Sequence, residues 1–406
     1  MTGQSLSYRD LLADADVTAL VVAAALSRFA GRMFSLAIVL YALGRFASPE
    51  LAGWLSFAAM APGLAISPLA GVMLDRFGST WGIALDLATS SALVAAIAAA
   101  DLFGGATPGV LLVLVALFSL TSPLSAAGVR TLLPRLVPEE ARDRANAVDT
   151  AMFTLADLGG PALAGGLFGL LGAVPAFAVI AVMFAASATC TIRVRDVAVE
   201  QHSGGSVVKQ ALGSVGAVLR QPTLRALVIC YGLFQVAWGI LTIVLPVCVA
   251  RAVPAAAADS LTGAIWAGVG LAGGCGALLA GALGTAARER AVLAGGMAVT
   301  AVAAWPLAPA FGLPSMVVAM AIAGFVAGPV EVGLLTLRQR RIDQVQLGRV
   351  LSVSISLNVA GLPLGAALGG ILVTGSLPAA FVAAAIAAAL GAVAVGMVPG
   401  DVRCLT

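Results

Sequence analysis

The sequence predicts an all-α membrane protein, with twelve transmembrane helices arranged as two pseudo-symmetric six-helix bundles. Three observations predict it. Of the 406 residues, 61% are hydrophobic and only 10% are charged, against about 25% charged in soluble domains, and the mean hydropathy is +1.06. The apolar residues fall into runs of roughly 20, the length that crosses a bilayer. The basic residues gather in alternate loops between those runs.

The runs of the first half lie near 17–43, 50–74, 81–101, 109–133, 146–171 and 174–192. Those of the second lie near 223–250, 259–284, 291–311, 313–337, 350–374 and 377–398. Short turns such as Ser48-Pro49-Glu50 and Gly172-Ala173-Val174-Pro175 separate neighbours. The 47 glycines suit membrane helices, where small residues let backbones approach. The polar segment Met1 to Asp16 lacks a basic stretch and a cleavage site, so the first run is expected to stay as a helix.

Arginine placement sets the orientation. With the N-terminus in the cytoplasm, all but four of the 22 basic residues lie at or near cytoplasmic ends. Arg45 and Arg251 face outward, and Arg28 and Arg32 are inside the first span. This is the positive-inside pattern. It predicts a multi-pass protein of a bacterial inner (plasma) membrane with both termini cytoplasmic.

Residues 1–195 and 223–406 are expected to form the two bundles. The polar stretch 196–222 links them. Within it Val208, Leu212, Val215 and Leu219 recur at helical spacing beside Lys209 and Arg220. That pattern predicts an amphipathic helix on the cytoplasmic membrane surface; a plain linker is the alternative. The halves are also related in sequence. One constant offset carries Thr131-Leu132 onto Thr336-Leu337, Arg135 onto Arg340, Arg144 onto Arg349, and Gly160 onto Gly365. A parallel repeat of six helices is one of the recurring plans of membrane transporters.

Gly71-Val72-Met73-Leu74-Asp75-Arg76-Phe77-Gly78, between the second and third spans, resembles the loop motif of the major facilitator superfamily. The resemblance covers nearly the whole chain. The family's two following basic residues are Ser79 and Thr80 here, and the matching stretch Gly276 to Leu283 has lost the Asp-Arg pair. Leu133-Pro134-Arg135-Leu136-Val137-Pro138-Glu139-Glu140, Arg144-Ala145-Asn146-Ala147 and Leu347-Gly348-Arg349-Val350 are similar to the branch holding the enterobactin, macrolide and multidrug exporters. Gly160-Pro161-Ala162-Leu163-Ala164-Gly165-Gly166 resembles the antiporter motif, with one extra residue. The resemblance implies alternating access about a central cavity, lined in part by the first and tenth spans. It assigns Gly71, Asp75, Arg76 and Gly78 to a cytoplasmic gate, and Asp86, near the cytoplasmic end of the third span, is read as part of that gate.

Charges at membrane depth are costly and point to function. Arg28 and Arg32 are four apart and share a helical face. Two like charges there need anionic company. Asp157 and Glu331 are the candidates to take up and release a coupling proton, since a carboxylate answers both to a dry environment and to a nearby Arg. A static ion pair is the alternative for each. Tyr231, Phe234, Gln235 and Trp238 form one stripe at i, i+3, i+4 and i+7. Such a stripe suits an amphipathic, partly aromatic ligand or, equally, a packed helix neighbour. Asn358 is a further polar contact. Asp149 reads as a helix-dipole residue with no other task.

Other chemistries are not indicated. Gly268-Val269-Gly270-Leu271-Ala272-Gly273 matches a dinucleotide fingerprint, but lies in an apolar run without a preceding strand, so it reads as helix packing. The five cysteines have no metal-ligand spacing, and His202 is the only histidine. No nucleotide-binding loop, catalytic triad or cofactor site is expected, and no nucleic-acid partner. The sequence therefore predicts not an enzyme but a secondary active transporter, working as a monomer. The expected task is proton-coupled efflux of small amphipathic compounds such as drugs, siderophores or secondary metabolites. The alternatives are transport of one specific metabolite and lysophospholipid flipping.

Overall fold

The computed structural model describes residues 8–11, 13–138, 141–195, 216, 220–283, 288–341 and 357–399. Among them there is no strand. A single turn, Tyr8–Leu11, precedes α1 (Ala15–Phe46). Then follow α2, in two pieces, Pro49–Ala58 and Ala61–Phe77, α3 (Ser79–Leu102), α4 (Pro108–Leu136), α5 (Arg142–Leu171) and α6 (Ala173–Ile192). The second set is α7 (Pro222–Ala252), α8 (Ala255–Leu283), α9 (Glu289–Val302), α10 (Leu313–Arg341), α11 (Gly361–Gly375) and α12 (Leu377–Ala394). Among the described residues, eleven helices are each long and apolar enough to cross a membrane. The two pieces of α2 fill the place of the twelfth.

Local chemistry explains the boundaries. Thr107 caps α4 by accepting from the Val110 amide at 3.4 Å, and Pro108 follows at the first helical position. Ser376 caps α12 in the same way through Ala379. Gly78 stands between α2 and α3 with φ 93°, a conformation that side chains disfavour, and its amide closes the last turn onto the Leu74 carbonyl. The loop motif's last glycine thus makes a tight turn.

Two spans differ from the sequence reading, and a third is described only in part. The run 50–74 is not one helix, because Pro62 has no N–H to give the Ala58 carbonyl, and the first piece of α2 ends at Ala58. The run 291–311 is α-helical only to Val302. It continues as a π turn, Ala303–Leu307, in which Trp305, next to Pro306, leaves helical geometry. Of the run 350–374, residues 350–356 lie outside the described residues, and α11 begins at Gly361. The amphipathic segment expected within 196–222 also lies outside them, apart from 216 and 220–222.

Two compact units divide the chain: residues 1–38 with 58–208, and residues 39–57 with 209–406. The expected division at 195 and 223 differs from this one chiefly at 39–57. In the first unit α3 packs along α4 and α6, and the second piece of α2 lies on α4. Phe34 of α1 meets the ring of Phe118 at 4.4 Å and that of Phe177 at 6.4 Å. Such ring pairs add about 0.5–1.5 kcal/mol beyond area burial.

In the second unit α7 is central, packed along α11 and α12, while α10 packs on α8 and α9. Gly361, Gly365 and Gly369 of α11 lie on the backbone of Gly232, Val236 and Ile240 of α7. The segment Gly268 to Gly273 is helical throughout, inside α8, and Gly273 faces Gly324 of α10. Without a hydrophobic force between helices in lipid, such close seams supply the packing attraction.

Candidate functional site

Each unit holds a polar cluster at membrane depth. In the first it is built from α1 and α5. Gly160 brings the helices together, since a Cβ there would collide with the Cβ of Arg32. One turn earlier on α5, Asp157 therefore stands beside the Arg32 guanidinium and forms an ion pair with its Nε. Two turns before that, Asp149 takes Nη2 of Arg28 at 2.6 Å, and its backbone carbonyl accepts from Nη1 at 2.8 Å. Between the two carboxylates Phe153 presents its ring to both cations, 5.5 Å from the Arg28 guanidinium carbon and 5.2 Å from that of Arg32. Asp149, Phe153 and Asp157 recur every four residues, so they form one stripe facing Arg28 and Arg32.

The anionic company expected for Arg28 and Arg32 is thus present, in balance. Asp149 corrects the sequence reading. It lies almost two turns inside α5, beyond the first turn where the helix dipole acts, and it serves as Arg28's counter-ion. Spacing held the signal, because Asp149 and Asp157 share a face just as the arginines do. The pairs differ in access. The Arg28 and Asp149 side chains are 16% and 20% exposed, those of Arg32 and Asp157 41% and 42%.

The second cluster joins α7 to α10. The buried phenol of Tyr231 donates to Oε1 of Glu331. Arg338, two turns along α10 from Glu331, is close enough to interact electrostatically with Tyr231, Glu331 and Cys230. It is only 4% exposed, and its Nε and Nη2 have no hydrogen-bond partner among the described residues. Arg338 was counted in the sequence only as a cytoplasmic marker. Its seven-residue spacing from Glu331, one helical face, was the available signal.

The α7 stripe is continuous but mostly enclosed. Tyr231 and Phe234 stand 5.8 Å apart, Phe234 and Trp238 6.3 Å, and Trp238 and Trp266 of α8 6.3 Å. Phe234 is fully buried in the core of the second unit, while Gln235 and Trp238 are half-buried. Asn358, just before α11, is 1% exposed, and neither amide atom has a partner among the described residues.

The residues expected to form the gate lie at the end of α2. Arg76 extends over the Phe77 ring at 5.6 Å, and Phe77 meets Trp81 at 5.3 Å. The surroundings of Gly71 and the side chain of Asp75 fall outside the described residues. Asp86, read as part of the gate, is buried among hydroxyls of α3 and α4. No group of three or more His, Cys, Asp or Glu converges as a metal site among the described residues.

Comparison with known proteins agrees with this architecture. The family profile described as Major Facilitator Superfamily matches residues 20–341. A protein of Sinorhizobium fredii (strain NBRC 101917 / NGR234), the uncharacterized MFS-type transporter y4rN, is 49% identical over 398 residues, 98% of each chain. Among solved structures, a POT family transporter in complex with 5-aminolevulinic acid superposes with a TM-score of 0.76 at 10% identity, covering 96% of each chain. The nucleoside transporter NupG gives 0.75 at 12% identity, over 94% of this chain and 98% of its own. At such identities the structures share the fold alone.

Proposed function

The chain belongs to the major facilitator superfamily, and from that premise we propose that it exports small amphipathic compounds in exchange for protons. It is a multi-pass membrane transporter of that superfamily. Efflux, the proton and the inner membrane with cytoplasmic termini are part of the proposal, as is a working monomer.

The observation that carries the reading is the contrast in what the membrane carboxylates touch. A proton placed on Asp157 strands the Arg32 cation beside it. A proton placed on Glu331 meets a neutral phenol, which can turn from donor to acceptor, and leaves the charge of Arg338 to be met from elsewhere. Glu331 is therefore the carboxylate suited to exchange a proton during a cycle. The Arg32–Asp157 pair, open to a small molecule on both charges, is suited to hold substrate polar groups. The direction is supported by the resemblance of the α5 segment around Gly160 and Pro161 to the antiporter motif. A second reading, one specific zwitterionic metabolite, draws on that same exposed pair, which offers a cation and an anion side by side.

The test is accumulation of a panel of dyes, antibiotics and siderophores in cells expressing the protein, with and without a protonophore. The proposal expects lower accumulation of at least one compound, restored by the protonophore. No difference across the panel, with the protein confirmed in the membrane, removes the multidrug reading and leaves the specific metabolite.

A further inference from the structure

Asp86 has no place in either cluster, yet it is a carboxylate only 3% exposed. It stands on α3 seven residues after Ser79, roughly 10 Å along the helix at 1.5 Å per residue. That puts it inside the apolar span Ser79–Leu102. Its side-chain partners are hydroxyls, and the Ser125 backbone amide also faces it. Ser90 donates to Oδ1 at 3.3 Å and Ser125 lies on Oδ2, with the Thr121 hydroxyl close by.

Among the described residues, the helices around it bring no cation to it. α6 carries no charged residue along Ala173–Ile192, and Arg193 follows its end. Arg130 and Arg135 of α4 are exposed. On α2, Arg76 is turned over Phe77, and Asp75 adjoins it in sequence. Arg28 and Arg32 of α1 are engaged with Asp149 and Asp157. An ionised Asp86 is thus an uncompensated anion at membrane depth, the arrangement proteins avoid.

Counting hydrogens points the same way. A serine hydroxyl has one hydrogen to give. Ser125 Oγ lies within reach of two acceptors, Asp86 Oδ2 and the Ser122 carbonyl at 3.3 Å. If Asp86 is ionised, one of these contacts has no hydrogen. If Oδ2 carries a proton, Asp86 donates to Ser125, Ser125 donates to Ser122, and Ser90 donates to Oδ1. Each of these three contacts is then used once and no net charge is buried. The neighbouring hydroxyls are committed likewise, Ser122 to the Ser119 carbonyl at 3.0 Å and Thr121 to that of Phe118 at 3.4 Å. Ser119 needs this, because Pro123 lacks the amide that its carbonyl would otherwise accept.

We propose that Asp86, with Ser90, Thr121 and Ser125, is a proton-binding site of the first unit, occupied in this conformation and separate from the Arg–Asp pairs. It stands on its own geometry, whatever compound is carried and whichever carboxylate exchanges the coupling proton. The ligand is a proton and not a metal cation, since a cation needs the carboxylate ionised and the hydroxyl oxygens turned toward it.

Infrared difference spectroscopy on the purified full chain, wild type against Asp86→Asn, reads this directly. The expected result at neutral pH is the carbonyl band of a protonated carboxylic acid, absent from the variant and unchanged by added sodium. Asp86→Asn should melt within a few degrees of wild type, because the amide keeps one donor and one acceptor. Ser125→Ala removes the acceptor and should shift the same band to higher frequency without abolishing it. Carboxylate bands alone, a protonated band lost on adding sodium, or an Asp86→Asn chain that does not fold while Ser125→Ala leaves the spectrum unchanged would each overturn the proposal.

Discussion

Arg28 and Arg338 are both guanidiniums held within the membrane-spanning part, one in each unit, and their surroundings differ. Arg28 has a carboxylate at 2.6 Å, a backbone carbonyl at 2.8 Å and an aromatic ring beside it. Arg338 is more deeply buried, and its Nε and Nη2 have no hydrogen bond among the described residues. The first arrangement is what a protein builds to hold two helices. The second is costly at rest, and a buried charge without its full set of hydrogen bonds persists where another state supplies them. The contrast teaches that depth in the membrane does not by itself mark a working charge; the completeness of its partners does.

The sharpest way to break this comparison is one substitution made twice. Arg28→Met leaves the half-buried Asp149 without its cation and should cost up to about 3 kcal/mol. Arg338→Met removes an incompletely hydrogen-bonded cation and should cost less, about 1 kcal/mol or nothing, while lowering transport. Thermal unfolding in detergent reads both, and equal destabilisation would erase the distinction. Next in size, Gly160→Leu forces α5 away from α1 at Arg32, at about 1–3 kcal/mol of overpacking. A loss of the coupling between positions 32 and 157 in a double-mutant cycle should accompany it. Tyr231→Phe deletes the donor to Glu331 and should cost about 1 kcal/mol, with a larger effect on transport than on the melting temperature. The smallest effect is expected from Asp157→Asn, at about 1 kcal/mol or less, since that pair is about two-fifths exposed.

Much of the fold was legible in the sequence because hydropathy and arginine placement act through the bilayer, which imposes one solution on every span. What was lost arose from single residues working against the pattern. Pro62 breaks a run whose average hydropathy gives no warning, and Trp305 with Pro306 ends α9 early. The site was legible in part. The need of Arg28 and Arg32 for anions followed from charge balance, and Asp157 was named on that ground. Asp149 was misplaced because its nearness to a helix start suggested a dipole role, whereas its partner comes from a helix 121 residues away in sequence. Arg338 was hidden by its position, since a basic residue at a cytoplasmic helix end already has an explanation in topology. Phe234 shows the limit of periodicity: the stripe is real, yet the same spacing serves a core as well as a ligand.

The central claim, that Glu331 exchanges the coupling proton while the Arg–Asp pairs of the first unit do not, is tested most directly in proteoliposomes carrying an imposed proton gradient. Flux of a compound found in the cellular panel would be followed for wild type, Glu331→Gln and Asp157→Asn. The account predicts that Glu331→Gln still exchanges labelled for unlabelled substrate but no longer responds to the gradient, while Asp157→Asn still responds. Gradient-driven flux that survives in Glu331→Gln and disappears in Asp157→Asn would contradict it and move the proton site to the first unit.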